Sequence, residues 1–431
     1  MKRLKSLLIN LSILAVVVGL MAGLSEAVLR LALPRPNVPH PELGSMHRAD
    51  FQGWDAAGFR NETKLDRADV VVIGDSHTVG LNAEPTEAWP QTLARGTGRS
   101  VYQMAMGGWG VVQYRFLVDA ALELEPEVVV VGFYVGNDLL DTQRMAYRNP
   151  HWERLRDPAF VPQPNPFVLT DTLLVLQYGV ERDSFRFRLL KAQERWREKS
   201  RLYDLVDNAT RAVGAKLGIA KSRASALREM PDHVFEEEGL GIRYEVARVE
   251  TLLTPAYRSA MVDVSSSDAA EGWRIARQLL REIGEQVTGS GRRLVVAVIP
   301  TKEMSYGLYM QQSGAEIATS LADYLDREGR LHAEIAEFCT ESGLECVDVR
   351  WAMADALAAG RRLYPQGIDG HPLAAGYSVY ADAVGRYLES GDLPATPDES
   401  AADPGVTESG VASDEAAVAP ARAGVAEPER G

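Results

Sequence analysis

The stretch Asp69-Val70-Val71-Val72-Ile73-Gly74-Asp75-Ser76-His77-Thr78 decides the reading of this chain. Four β-branched residues in a row, closed by a glycine, describe a strand that is apolar on both faces, the kind found at the centre of a parallel sheet. The four residues after the glycine are polar. Ligands in open α/β sheets bind beyond the carboxyl ends of the strands, so Ser76 is set where a small molecule can reach it. Asp75 and Ser76 are also good helix N-caps. Taken alone, the decapeptide leaves a capping role and a chemical role open.

Working outward, the pattern repeats. Val101-Tyr102-Gln103-Met104-Ala105 reads as a short strand running into Met106-Gly107-Gly108-Trp109-Gly110. Such a glycine cluster lets backbone approach a ligand closely, or marks a tight turn. Val128-Val129-Val130-Val131-Gly132-Phe133-Tyr134 is the clearest strand and ends in Val135-Gly136-Asn137-Asp138. A strand over 294–299 ends in Pro300-Thr301-Lys302, where Lys302 either reaches a site at the strand end or, as preferred, is a surface lysine, and a last strand covers 346–349. Helical periodicity fills the gaps over about 86–97, 112–124, 269–287, 330–340 and 374–388. Five strands with crossover helices predict an α/β protein: a doubly wound, mainly parallel five-stranded sheet of the flavodoxin-like kind.

The rhythm breaks between 142 and 265, where Pro-rich pieces and a charged helical stretch from about 183 to 217 predict a helical insertion. Residues 34–65 read as an extended lead-in whose Trp54, Asp55, Phe59 and Arg60 pack on the domain edge. Ahead of it, Met1-Lys2-Arg3-Leu4-Lys5 precedes a run with no charge until Glu26. That run is long enough to cross a bilayer, and its basic start places the remainder on the extracytoplasmic side, periplasmic or extracellular. Ser25-Glu26-Ala27 offers a small-x-small cleavage site, but the apolar core exceeds a usual signal peptide, and an uncleaved anchor is preferred. The expected organisation is an anchor over 1–33, a domain in two parts over 34–141 and 266–390, the insertion over 142–265, and an acidic tail over 391–431. The tail has nine acidic residues against two basic ones and almost no large apolar ones, so it is expected to be disordered.

The 431 residues, 46% hydrophobic and 25% charged, suffice for a sizeable core. A net charge of −14, half of it in the tail, argues against nucleic acid as a partner. Cys339 and Cys346 lack zinc-ligand spacing. In an oxidising compartment a short disulfide is favoured over two buried thiols, although spacing leaves both open. His40, His47, His151, His233 and His332 are scattered without ligand spacing. No metal or cofactor is expected.

Acyl transfer at neutral pH needs a nucleophile, a base, a group that holds the base, and donors for an oxyanion. Strand-end loops offer each of them. Ser76 is the candidate nucleophile. His371 lies before the last helix in Asp369-Gly370-His371-Pro372, with Asp369 to fix its tautomer. Backbone amides near Gly108 and the side-chain amide of Asn137 are candidate oxyanion donors.

These residues resemble the SGNH (GDSL-type) hydrolases, a family named for a Ser, a Gly, an Asn and a His in four separate blocks. Gly74-Asp75-Ser76 resembles the first block, Gly108 the second-block glycine, Gly136-Asn137-Asp138 the third block, and Asp369-Gly370-His371-Pro372-Leu373 the last. The four blocks come in family order, over roughly 66–140 and 290–390. The resemblance implies Ser76 as nucleophile and first oxyanion amide, Gly108 and Asn137 as further donors, and Asp369 and His371 as the acid–base pair. His77 stands where the family name has leucine, and Gln103 where many members have asparagine. One residue separates acid and histidine where many members have two, a spacing similar to membrane-associated cell-envelope members, including polysaccharide O-acetyltransferase relatives. The G-x-S-x-G elbow of ordinary α/β hydrolases is absent, because Thr78 replaces its second glycine.

The expected activity is a membrane-anchored serine esterase acting on an O-acyl group, such as acetyl, of a cell-envelope glycan or lipid. An O-acyltransferase with the same triad is the first alternative, and a non-catalytic envelope binding or scaffold protein the second.

Overall fold

Strand β3 (Val70–Gly74) is completely buried and pairs in parallel with two neighbours. These are β4 (Val101–Ala105) on one side and β5 (Val128–Tyr134) on the other, so the run of β-branched residues sits in the middle of a sheet. β8 (Arg293–Ile299) and β9 (Glu345–Asp348) extend it, all pairings being parallel, in the order β4-β3-β5-β8-β9. By position along the chain this is 2-1-3-4-5, the flavodoxin-like order, whose switch point lies beside the first strand. The computed structural model describes residues 2–32, 35–49, 53–163, 171, 174, 180–182, 184–216, 241–246 and 249–391. The acidic tail expected beyond 391 lies outside them, as does residue 33 at the end of the expected anchor.

Crossover connections between the parallel strands carry helices. The helix Trp89–Thr97 packs with the helix Ala374–Ser390 on one face. On the other, Val111–Glu123 and Asp138–Arg148 pack against Ser267–Gly289. Burying one valine or isoleucine side chain contributes roughly 1.5–3 kcal/mol, and the valines of β3 and β5 are all but inaccessible. The strand ends that carry the polar loops are therefore fixed by the core. Gly74 and Gly132 lie side by side in register, and a Cβ on either would collide with the hydroxyl of Thr78. The two glycines form a notch that seats the turn after Ser76 over the sheet edge.

The lead-in packs as its residue types suggest. Asp55 is buried and accepts hydrogen bonds from Tyr102 Oη at 2.6 Å and from the Ala57 and Phe59 amides at 2.8 and 3.0 Å. Arg60 donates to the carbonyls of Val79, Gly80 and Ala83, clamping the loop behind Ser76. A small hairpin precedes it, β1 (Asn37–His40) with β2 (Gly44–His47).

The insertion is helical where helices were expected, with the charged stretch broken at Ser200 into Phe185–Lys199 and Arg201–Lys216. It also contains an unforeseen antiparallel hairpin, β6 (Ile242–Val246) with β7 (Val249–Leu253). Cys339 and Cys346 form a disulfide, Cα to Cα 6.2 Å, joining the helix Thr319–Ser342 to β9. On that helix His332 is buried between Asp348, 2.8 Å from Nδ1, and Glu328, 3.5 Å from Nε2. Burial opposes its charge, but the two carboxylates outweigh it and lift His332 to about 9. This is a paired core histidine, in keeping with its lack of ligand spacing.

Candidate active site

Ser76 opens a four-residue helix, Ser76–Val79, whose N-cap is Asp75. Asp75 Oδ1 accepts the His77 amide at 2.8 Å, so the capping role weighed for this pair falls to Asp75 and leaves the Ser76 hydroxyl for other partners. Those partners are two. His371 Nε2 lies 2.9 Å from Ser76 Oγ, and Asp75 Oδ2 lies 3.2 Å from it. A hydroxyl has one proton to give, and the shorter contact is with the imidazole.

His371 is held from behind. Its Nδ1 lies 2.8 Å from Asp369 Oδ1, and the same oxygen accepts the His371 amide at 3.0 Å. One carboxylate oxygen thus fixes both ring and backbone, which the single-residue spacing permits. Asp369 Oδ2 accepts from Asn82 Nδ2 at 2.9 Å, and Asn82 also donates to the His371 carbonyl at 3.2 Å. Burial would raise the Asp369 pKa; the ring and amide of His371, with Asn82, outweigh it and hold the carboxyl well below the usual range. An ionised Asp369 stabilises the tautomer with a proton on Nδ1, leaving the Nε2 lone pair facing Ser76.

The remaining predicted residues lie at the same sheet edge. Asn137 follows β5 and is half-buried, its Nδ2 donating to Asp141 Oδ2 at 3.0 Å. An amide nitrogen carries two protons, one of them directed to Asp141. Asp75 is pushed up by burial, and the His77 amide, His371 and hydrogen bonds from the Ser76 and Asn137 side chains offset part of the rise. Burial lifts Asp141 to about 7, with Arg144 opposing and Asp75 adding. Gly108 is exposed in a turn with φ +78°, a conformation glycine adopts without strain. Its neighbour Gly107 lies closer to Ser76: a Cβ there would sit 3.5 Å from Ser76 Cβ, whereas one at Gly108 would meet nothing within 4 Å.

His77 is buried and stacks on Tyr134, centroids 3.6 Å apart, with its ring 4.9 Å from that of His371. Burial, then the charges of His371 and Arg258, depress its pKa well below the ordinary value, so it stays neutral and backs the His371 ring without competing for protons.

Two supporting residues were not foreseen, and a third was assigned by preference to the surface. Asn82, which bridges Asp369 and the His371 carbonyl, is the first. Arg258, on the helix Pro255–Val262, backs Gly370 so closely that a Cβ there would collide with its guanidinium, and its Nε lies 3.5 Å from buried Glu303. Lys302 corrects the surface reading: it is 1% exposed, and its Nζ donates to the Gly367 carbonyl at 2.5 Å, with the Asp369 carbonyl 3.4 Å away. Burial pushes its ammonium down to about 8 against the pull of Glu303 and Asp369. Lys302 therefore pins the loop that carries Asp369 and His371. Lys302→Met is expected to lower kcat about ten- to a hundredfold, since hydrogen bonds from a charged group contribute roughly 1.5–3 kcal/mol. Thermal stability should fall by about 1–3 kcal/mol, because the Gly367 carbonyl loses its donor. Steady-state kinetics beside a melting curve reads both, and unchanged kinetics would mean the loop is held by other contacts.

No family model and no curated protein matches the chain. Among solved structures, a "putative acylhydrolase" from Bacteroides fragilis aligns at 9% identity with a TM-score of 0.29, over 74% of this chain and 86% of that one. At that level of similarity nothing about the site follows from it.

Among the described residues no group of three or more His, Cys, Asp or Glu is arranged to hold a metal ion. The chemistry available at this edge is that of a serine hydroxyl, an imidazole, two carboxylates and an amide.

Proposed function

We propose that this chain is a membrane-anchored serine ester hydrolase of the SGNH type, acting on an O-acyl group of a cell-envelope glycan or lipid. One observation carries the reading: an unbroken line of contacts from Asp369 through His371 to Ser76, at 2.8 and 2.9 Å, beyond the carboxyl edge of the sheet. Ser76 Oγ attacks the acyl carbonyl as its proton passes to His371 Nε2. The negative charge that develops on the carbonyl oxygen is met by the Ser76 amide, which has no partner within the helix it opens, by Asn137 Nδ2 and by the turn at Gly108. His371 then gives its proton to the departing alcohol oxygen, leaving acyl-Ser76. Water enters, loses a proton to His371 and releases the acid, and Ser76 regains its proton.

The helix Lys2–Ala32 supports the anchored part of the reading, since it contains an apolar stretch long enough to cross a bilayer. The basic N-terminus and the Cys339–Cys346 disulfide support an extracytoplasmic catalytic domain. The division into anchor over 1–33, catalytic parts over 34–141 and 266–390, insertion over 142–265 and tail over 391–431 belongs to the same proposal.

The test is the full chain in detergent, given a chromogenic acetyl ester and, separately, a fluorophosphonate. Turnover together with covalent labelling mapped to the Ser76 peptide is the expected result. A folded protein that neither hydrolyses the ester nor takes the label would favour a binding protein on the same fold.

A further inference from the structure

The helix pair of the insertion carries an apolar stripe that the fold leaves uncovered. Phe185, Leu189 and Trp196 are 81%, 50% and 61% exposed. At 3.6 residues per turn they fall within about 40° of one another on the helix Phe185–Lys199. Arg188, Arg195 and Lys199 flank this stripe on one side and Arg186 on the other, all exposed. The helix has six basic residues against two acidic ones. Leu205, Val206 and Val213 are also about half exposed on the partner helix Arg201–Lys216. Charge alone suggests a solvated surface; the exposed aromatic and aliphatic side chains between the arginines do not fit one.

The turn between these helices is fastened to the N-terminal helix. Glu26 Oε1 accepts the Arg201 amide at 3.0 Å, and its Oε2 accepts the Leu202 amide and the Ser200 hydroxyl, each at 2.9 Å. Arg30 donates to the Lys199 carbonyl at 2.7 Å. Glu26 caps the start of the Arg201–Lys216 helix from another helix altogether. It is also the first charged residue after Lys5. Twenty uncharged residues lie between the two; at 1.5 Å each they span about 30 Å, the thickness of a bilayer's hydrocarbon core. Glu26 thus marks the outer boundary of that core, and the turn it holds lies at the same height.

We infer that the Phe185–Lys199 and Arg201–Lys216 helices lie in the outer membrane–water interface, with Phe185, Leu189 and Trp196 seated among the headgroups of an anionic phospholipid surface. An apolar stripe with Trp, Phe and Leu, bordered by Arg and Lys, is the pattern of an interfacial helix. The basic excess complements anionic headgroups, and the contacts of Glu26 and Arg30 hold the turn between the two helices beside the anchor. The catalytic domain is then held at two places, which stops it swinging freely about a single spanning helix. The inference rests on the membrane-anchored reading and is independent of the ester chemistry.

The test uses the full chain in vesicles, either zwitterionic phosphatidylcholine or a phosphatidylcholine–phosphatidylglycerol mixture. A nitroxide is attached through Leu189→Cys or, for comparison, through Glu123→Cys, an exposed site at the end of the helix Val111–Glu123. In the anionic vesicles the label at 189 is expected to be roughly fivefold less accessible to an aqueous nickel chelate than the label at 123, and more accessible to oxygen. In zwitterionic vesicles, or with Arg188→Glu and Arg195→Glu added, that protection should largely vanish. Equal nickel access at 189 and 123 in anionic vesicles, in protein that floats with them, overturns the inference while leaving the anchor standing. Protection that is indifferent to lipid charge overturns the anionic surface as the occupant. Protein that fails to float removes the anchor and the inference together. None of these readouts depends on ester turnover.

Discussion

Ser76→Ala is expected to lower kcat toward an activated acetyl ester on the order of 10⁴-fold, with His371→Ala falling within about tenfold of it. The reason is the sharing of one proton path. Ser76 Oγ has no nucleophilic strength without a base at hydrogen-bond distance, and His371 Nε2, at 2.9 Å, has no attacking group to serve without the hydroxyl. Removing both should therefore cost scarcely more than removing either, whereas independent contributions would multiply. The single and double variants, assayed beside the parent, distinguish these cases. The fold should survive each change. Ser76 contributes one hydroxyl to a site whose cap is Asp75, and the His371 ring is 28% exposed. Melting temperatures close to the parent's, with activity lost in all three variants, is the expected pattern. Parent-like activity in folded Ser76→Ala would end the proposal of an acyl-serine route.

The sheet was legible because its physics is local. Four β-branched residues in β3 and four valines in β5 leave no polar face, so these strands had to be central, and alternation with helices then ordered the rest. The β6–β7 hairpin shows the limit of that reading. Ile242, Tyr244 and Val246 alternate with Arg243 and Glu245, a strand signal at period two, but the pattern is short and lies in a segment dominated by charged helix. The line Asp369–His371–Ser76 was anticipated because each member closes a block at a strand end or a loop before a helix. Its supports were not. Asn82 reaches Asp369 across 287 residues of sequence, and Lys302 reaches Gly367 across 65. No periodicity reports such contacts. Lysine is among the residues least often buried, so its type pointed outward; the carbonyls of the 367–369 loop turn it inward by giving the ammonium acceptors in place of water. The apolar stripe of the insertion escaped for a related reason. Six basic residues scattered along the helix conceal Phe185, Leu189 and Trp196 unless it is viewed along its axis.

Asn137→Ala is expected to lower kcat by about 10²- to 10³-fold with KM changed less than about threefold, the signature of a donor whose contact matters most once the carbonyl oxygen bears charge. The resting site explains the split. Asn137 Nδ2 is held by Asp141 at 3.0 Å and its side chain also interacts with Asp75, so the amide is fixed in place before substrate arrives. A ground-state carbonyl gains little from that donor, while a tetrahedral oxyanion gains roughly 2.7–4 kcal/mol. Asp141→Asn should have a smaller effect, about tenfold in kcat, because it loosens the hold without deleting the donor. Asn137→Asp should be at least as damaging as alanine, since it sets another carboxylate beside Asp75 and opposite the developing charge. Kinetics of the three variants on one ester series gives the order. A rise in KM with kcat preserved in Asn137→Ala would instead make Asn137 a ground-state binding group, and the oxyanion would then have to be stabilised by the backbone amides of Ser76 and the Gly107–Gly108 turn alone.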